Sequence, residues 1–271
     1  STASDGSVPP EQLAAMAAAK GLAAIALTDH DSVDGVSAAK MAGQEANILV
    51  VSGVELTAYE KDSEEGYIEM HIAGLFVDCE NPVLLDRLER FRAVRLQRVH
   101  EIVGKLREIG VDIESDNVLE HSRGGAVGRA HVAKELVRLG HCADGPEAFD
   151  RYLAVGCAAY VPKERMTPAE AVELVHCAGG CAALCHPAHI EDLPARLERL
   201  VESGLDAIEV HYPTHSAQDE RRLLDLARQH DLVPTGGSDF HGEIKPQIQI
   251  GQETVSFVEL HQLQQRARMG H

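Results

Sequence analysis

Histidine or carboxylate closes four apolar, strand-like runs in this chain: Leu27-Thr28-Asp29-His30, Gly53-Val54-Glu55, Leu184-Cys185-His186-Pro187 and Gly237-Ser238-Asp239-Phe240-His241. Neutral imidazole with carboxylate is the ligand set of Zn, Mn and Fe sites, and a strand end is a rigid mount for such ligands. A single His-Pro or Asp-His pair is more often a capped turn or a hydrogen-bonded core histidine. Repetition at the ends of several strands points instead to a polynuclear hydrolytic centre, where cations lower the pKa of bound water and stabilise developing charge.

The elements that must hold these residues are legible in the same sequence. A helix opens at Ser7-Val8-Pro9-Pro10-Glu11 and stops at Gly21. A buried strand follows over 23–27, and Asp31 or Ser32 is expected to cap a helix over 33–46. The pattern predicts a strand over 48–51 that ends at Glu55, a polar hairpin or loop over 60–66, and a strand over 67–77 carrying His71. Residues 81–162 read as helices with no convincing strand, an inserted helical subdomain. Alternation then resumes, with helices over 168–178, 193–203 and 217–229 leading into strands over 181–185, 207–210 and 233–237. Such βα alternation predicts an α/β fold: a parallel sheet or barrel with helices outside and a site at the carboxyl ends of the strands. The expected division is 1–80 and 163–271 as the two parts of the barrel, with 81–162 as the insertion.

Composition narrows the functions available. Lys and Arg total 25 against 43 Asp and Glu in 271 residues, a net charge of -18, so there is no broad basic surface to hold duplex DNA. An anionic substrate must be met locally, by metals or a few arginines. The six cysteines, Cys79, Cys142, Cys157, Cys177, Cys181 and Cys185, are expected to be reduced in a cytoplasmic protein with a core of this size. No run of 18 apolar residues is present, so no membrane-spanning helix is expected.

With Ser1-Thr2-Ala3-Ser4-Asp5-Gly6, Thr28-Asp29-His30-Asp31, Met70-His71-Ile72-Ala73-Gly74 and Gly237-Ser238-Asp239-Phe240-His241-Gly242, the chain resembles the PHP (polymerase and histidinol phosphatase) family of metal-dependent phosphoesterases over nearly its whole length. The resemblance implies a distorted seven-stranded (β/α) barrel and up to three divalent ions, Mn first with Fe or Zn as alternatives. It implies that Asp5, His30, Glu55, His71, His186, Asp239 and His241 are the ligands. Glu55 would bridge two ions, one shared with Asp239 and the other with His71 and His186, while Asp5, His30 and His241 would hold the third. Asp239 and His241 are thus the expected catalytic ligands, and His211 is a candidate for protonating the leaving oxygen. The family also has a first strand carrying His-x-His ahead of the serine at position 1, so the sequence is expected to be a trimmed form of a longer protein.

In the predicted insertion, a helix over 82–106 places Leu88, Phe91, Val99, Ile102 and Leu106 on one stripe, interrupted by Arg95 and flanked by Arg92 and Arg98. Surface pairing with Glu89 and Glu101 would account for these arginines. The alternative joins them to Gly124-Gly125-Ala126-Val127-Gly128-Arg129-Ala130-His131, a glycine-rich helix start whose free amides, with Arg129 and His131, suit a phosphate. The pattern resembles the PHP subgroup that removes the 3'-phosphate of nucleoside 3',5'-bisphosphates or trims RNA from its 5' end. It implies that Arg95, Arg129 and His131, with Arg92 and Arg98 nearby, anchor a terminal phosphate; His189 stands where relatives often carry Arg. The expected partner is a nucleotide or short RNA. A histidinol-phosphate phosphatase, and a nucleotide-binding module with a defective metal centre, are the competing readings.

Overall fold

Short apolar runs set between amphipathic helices build a six-stranded sheet, in the order β1-β2-β3-β4-β5-β6, in a computed structural model of the protein. Residues 1–63, 66–121 and 127–269 are described. Contacts divide the chain into two units, 1–86 with 165–271, and 87–164.

The first unit opens with α1 (Pro10–Ala19), β1 (Ala24–Leu27), α2 (Val36–Glu45), β2 (Leu49–Lys61) and β3 (Tyr67–Leu75). β1 and β2 are parallel, whereas β3 runs antiparallel to both β2 and β4. The sheet is therefore mixed, not the all-parallel array that the alternation predicts. The cause is the hairpin between β2 and β3, since antiparallel neighbours need only a tight connection while parallel ones need a crossover. The same hairpin lengthens β2 well past Glu55, which lies inside the strand and not at its end.

The expected cap of α2 also moves. Asp31 takes a left-handed φ of 47° and its Oδ1 accepts from the Thr57 N–H, while Ser32 Oγ accepts from the Asp34 N–H in a turn. Both side chains are thereby used before the helix starts at Val36.

The long helix α3 (Pro82–Glu108) crosses the boundary between the units. Four elements complete the second unit: α4 (Ser115–Glu120), α5 (Arg129–Arg138), α6 (Gly145–Ala148) and a π-turn over Phe149–Leu153. Its core is the buried stripe Val99, Ile102 and Leu106 packed with Leu136, Leu153 and Val161. Fully burying each such side chain contributes about 1.5–3 kcal/mol. Arg98 and Lys105 add polar ties, donating to the carbonyls of Val161 and Tyr160.

Back in the first unit come α7 (Pro168–Cys177), β4 (Cys181–Leu184), α8 (Leu193–Glu202), β5 (Ala207–His211), α9 (Ala217–Gln229), β6 (Val233–Gly236) and α10 (Phe257–Met269). Thr167 with Glu170, and Ser216 with Asp219, form capping boxes that start α7 and α9 where the sequence places them. α10 is a long helix that the pattern did not predict. Leu27, Val51, Ala73, Ala183, Glu209 and Thr235, one from each strand in turn, line a single cavity of about 420 Å³, so the sheet curls around it.

Candidate metal centre

The rim of this cavity carries the histidines and acids singled out in the sequence: Asp5, His30, Glu55, His186, Asp239 and His241 all line it. Register explains the placement. His30 continues β1 by a parallel bridge to Glu55, with the Glu55 N–H donating to the Asp29 carbonyl and the Asp31 N–H to the Glu55 carbonyl. Across the hairpin Glu55 pairs with Ala73 and Thr57 with His71, so Glu55 and His71 are diagonal neighbours on one face. His186 follows β4 in a left-handed turn, φ 34°, and Asp239 follows β6 with φ 47°.

Glu55 is the hub. Its Oε1 lies 2.7 Å from His71 Nδ1 and 3.4 Å from His186 Nε2, while its Oε2 lies 3.9 Å from His30 Nε2. The two imidazoles are themselves close, His186 Nε2 to His71 Nδ1 at 3.2 Å. Burial opposes ionisation of Glu55, but hydrogen bonds to His186 and His71 and the charge of His30 outweigh it, holding the carboxyl well below the usual range. Burial likewise pulls His71 down, yet Glu55 and Glu69 lift its pKa to about 9. Without a cation, this is a carboxylate–imidazolium cluster.

A second group meets at Asp5. His241 Nε2 is 3.5 Å and His30 Nε2 3.9 Å from its carboxylate, and ligand atoms of Asp5, His30 and His241 all fall within 4.8 Å of one another. The same spacing holds for His30, Glu55 and His71. The serine-rich start supports Asp5: the hydroxyls of Ser1 and Ser4 both donate to Asp29 at 2.7 Å. His241 Nδ1–H donates to the Asp239 carbonyl at 2.7 Å, which leaves Nε2 facing Asp5. These groups fit divalent cations. Their donors are imidazole nitrogens and carboxylate oxygens, and His30 Nε2 stands 3.9 Å from both the Glu55 and the Asp5 carboxylates.

Asp239 Oδ2 accepts from Tyr212 Oη at 2.9 Å and from Lys245 Nζ at 2.7 Å. His211 Nδ1 lies 3.3 Å from Glu220 Oε1, and the His215 ring, tied through Nδ1 to the Val210 carbonyl, packs beside Tyr212. His189 is exposed in a 3₁₀ turn after His186.

Two residues at the centre were not anticipated. Glu209 Oε2 accepts the His186 N–H at 2.6 Å; burial, reinforced by the charges of Glu55 and Asp239, pushes its carboxyl up to about 8 against that hydrogen bond. An acid inside the apolar run Ile208-Glu209-Val210 was the available signal. Lys245 had none, because its contact depends on the turn after His241.

The candidate substrate residues of the second unit have local partners. Arg98 donates to the Val161 carbonyl, Arg129 to the Leu153 carbonyl at 3.1 Å, and Arg92 pairs with Glu89 at 3.4 Å. Arg95 is half-buried, and His131 Nδ1 accepts the Gly128 N–H at 3.1 Å. Gly124, Gly125 and Ala126 of the expected phosphate loop lie outside the described residues.

The sequence profile of the PHP domain family matches residues 1–193, and the chain belongs to that family. The class is therefore that of metal-dependent phosphoesterases, enzymes that hydrolyse phosphoric esters. Among individual relatives, the chain is 34% identical to the 5'-3' exoribonuclease Rnm of Salmonella typhimurium, covering 93% of this chain and 86% of the relative. It is 31% identical to a 3',5'-nucleoside bisphosphate phosphatase of Chromobacterium violaceum, over 89% of this chain and 85% of that one. A crystal structure assigned as a metal-dependent phosphoesterase from Bifidobacterium adolescentis superposes with a TM-score of 0.78 at 28% identity, covering 98% of this chain and 93% of that one.

Proposed function

We propose that this protein hydrolyses nucleotide phosphate esters, removing the 3'-phosphate of nucleoside 3',5'-bisphosphates and trimming short RNA from its 5' end. The observation that carries the phosphoesterase chemistry is the division of Glu55, one oxygen turned to His71 and His186 and the other to His30. The similarity to the bisphosphate phosphatase and to the exoribonuclease supports the substrate class.

In this reading Glu55, His71, His186 and Asp239 hold one pair of ions and Asp5, His30 and His241 a third, with Mn the first choice and Fe or Zn accepted by the same donors. Bound there, divalent ions would supply an acidified water and Lewis-acid stabilisation of the phosphoryl oxygens. The remaining tasks fall to the chain. Glu209 fixes the backbone of His186, and Tyr212, whose hydroxyl burial and Asp239 keep protonated, donates to Asp239. His211, oriented by Glu220, holds a proton for the leaving oxygen. Arg95, Arg129 and His131, with Arg92 and Arg98, anchor the second phosphate, and His189 lies on the approach to His186. The helical unit is then the substrate reader of a seven-stranded barrel, and the six described cysteines, all free, suit a reducing cytoplasm. Among the described residues no helix is long and apolar enough to cross a membrane.

A metal-supplemented phosphate-release screen with the complete protein tests this reading. Release from a 3',5'-bisphosphate but not from histidinol phosphate is expected, with Arg95→Ala raising KM for the bisphosphate. Turnover of histidinol phosphate alone would replace the substrate assignment, and an unchanged KM in Arg95→Ala would remove the helical unit from it.

A further inference from the structure

We propose that Lys245 is the phosphate-binding cation of the metal centre, its ammonium contacting the phosphoryl group on which the ligand cluster acts. This rests on the phosphoesterase reading and adds to it a residue that neither the sequence motifs nor the arginines of the helical unit supply.

The first support is position. Lys245 Nζ lies 2.7 Å from Asp239 Oδ2, the oxygen that Tyr212 also donates to, while Asp239 Oδ1 faces His241 Nδ1 at 3.4 Å. The lysine side chain is the more exposed of the pair, 35% against 20% for Asp239. The turn that leads to it is pinned. Gly242 takes a φ of 66°, where a Cβ would run into Ser7, and Ser7 Oγ accepts the Glu243 N–H at 2.7 Å.

The second support is charge. Asp5, Glu55 and Asp239 line one cavity, so an incoming phosphate meets carboxylates as well as ions. Three other cations of this unit pair elsewhere, Arg196 and Arg199 with Glu60 and Arg266 with Asp231. Among the described ion pairs, Lys245 is the lysine or arginine whose carboxylate partner is a candidate metal ligand. A divalent ion taking Asp239 competes with the ammonium for that carboxylate. A phosphoryl oxygen arriving at the cluster is then a replacement anion for which a compact, mobile point charge is suited.

The test compares Lys245→Met and Lys245→Arg with the wild type, all complete and Mn-loaded. Inorganic phosphate and Mn affinities are measured by calorimetry and KM by phosphate release. Lys245→Met should weaken phosphate binding about tenfold or more, the size of one charge-assisted hydrogen bond, and raise KM similarly. Mn affinity should stay level or tighten, and Lys245→Arg should recover most of the phosphate affinity. Wild-type phosphate affinity in Lys245→Met would overturn the proposal, as would a loss of Mn that accounts for the whole effect, since Lys245 would then only position Asp239. If the wild type hydrolyses no phosphoester the underlying reading fails instead, while the phosphate titration still scores Lys245.

Discussion

Around Glu55 the candidate ligands already touch, at 2.7 Å to His71 and 3.4 Å to His186, whereas around Asp5 the nearest imidazole nitrogen is 3.5 Å away and the aspartate side chain is 56% exposed. The difference follows from what carries each group. Glu55 and His71 are locked by the register of a long hairpin, with the Glu209 carboxyl holding the start of the His186 turn. Asp5 and His241 sit on loops that hydrogen bonds through Ser1, Ser4 and Ser7 tie down. A sheet-mounted cluster is preorganised and a loop-mounted one must gather when its ion arrives, so the two should differ in affinity and in what a substitution removes.

The comparison breaks most visibly at Glu55. Glu55→Gln removes the hub carboxylate of the sheet-mounted cluster, and activity should fall by about a thousandfold or more, measured as phosphate release at saturating Mn. Asp5→Asn should cost less, about ten- to a hundredfold in affinity for the weakest-held ion, with the remaining ions retained when metal content is measured. Equal losses at the two positions would mean that the centre assembles as one unit.

pH sharpens the contrast in the metal-free protein. His71 is raised from 6.5 to about 9, so its stabilising contribution is complete below 6.5 and is lost as pH rises through about 9. Glu55 is lowered, so its contribution is present above the ordinary carboxylate pKa and is lost as pH falls below it. In EDTA, Tm should therefore fall between pH 6.5 and 9.5. Mn loading should remove this slope and release protons at pH 7, because a ligating imidazole must be neutral. The smallest effect is expected from Tyr212→Phe, which deletes one hydrogen bond to Asp239: about 1 kcal/mol, or roughly fivefold in kcat/KM.

Much of this was legible in the residues. Ligand types at the ends of apolar runs marked His30, His186, Asp239 and His241, and the alternation placed helices over 168–178 and 217–229. What periodicity could not show was strand direction, since β3 reads the same whether parallel or antiparallel; hence the mixed sheet, and Glu55 inside a strand. Lys245 was invisible for a different reason. Its contact depends on a left-handed Gly242 and on Ser7, more than 200 residues away in sequence. Glu209 could have been flagged, because an acid inside an apolar strand requires a partner.

The most direct test of the Glu55-centred phosphoesterase is phosphate release from adenosine 3',5'-bisphosphate by the complete protein and its Glu55→Gln variant, with bound metal quantified in both. The expected result is loss of the 3'-phosphate by the wild type, abolished by EDTA and restored by Mn, with the variant inactive and depleted of metal. Release that persists in EDTA, or at the wild-type rate in Glu55→Gln, would contradict it.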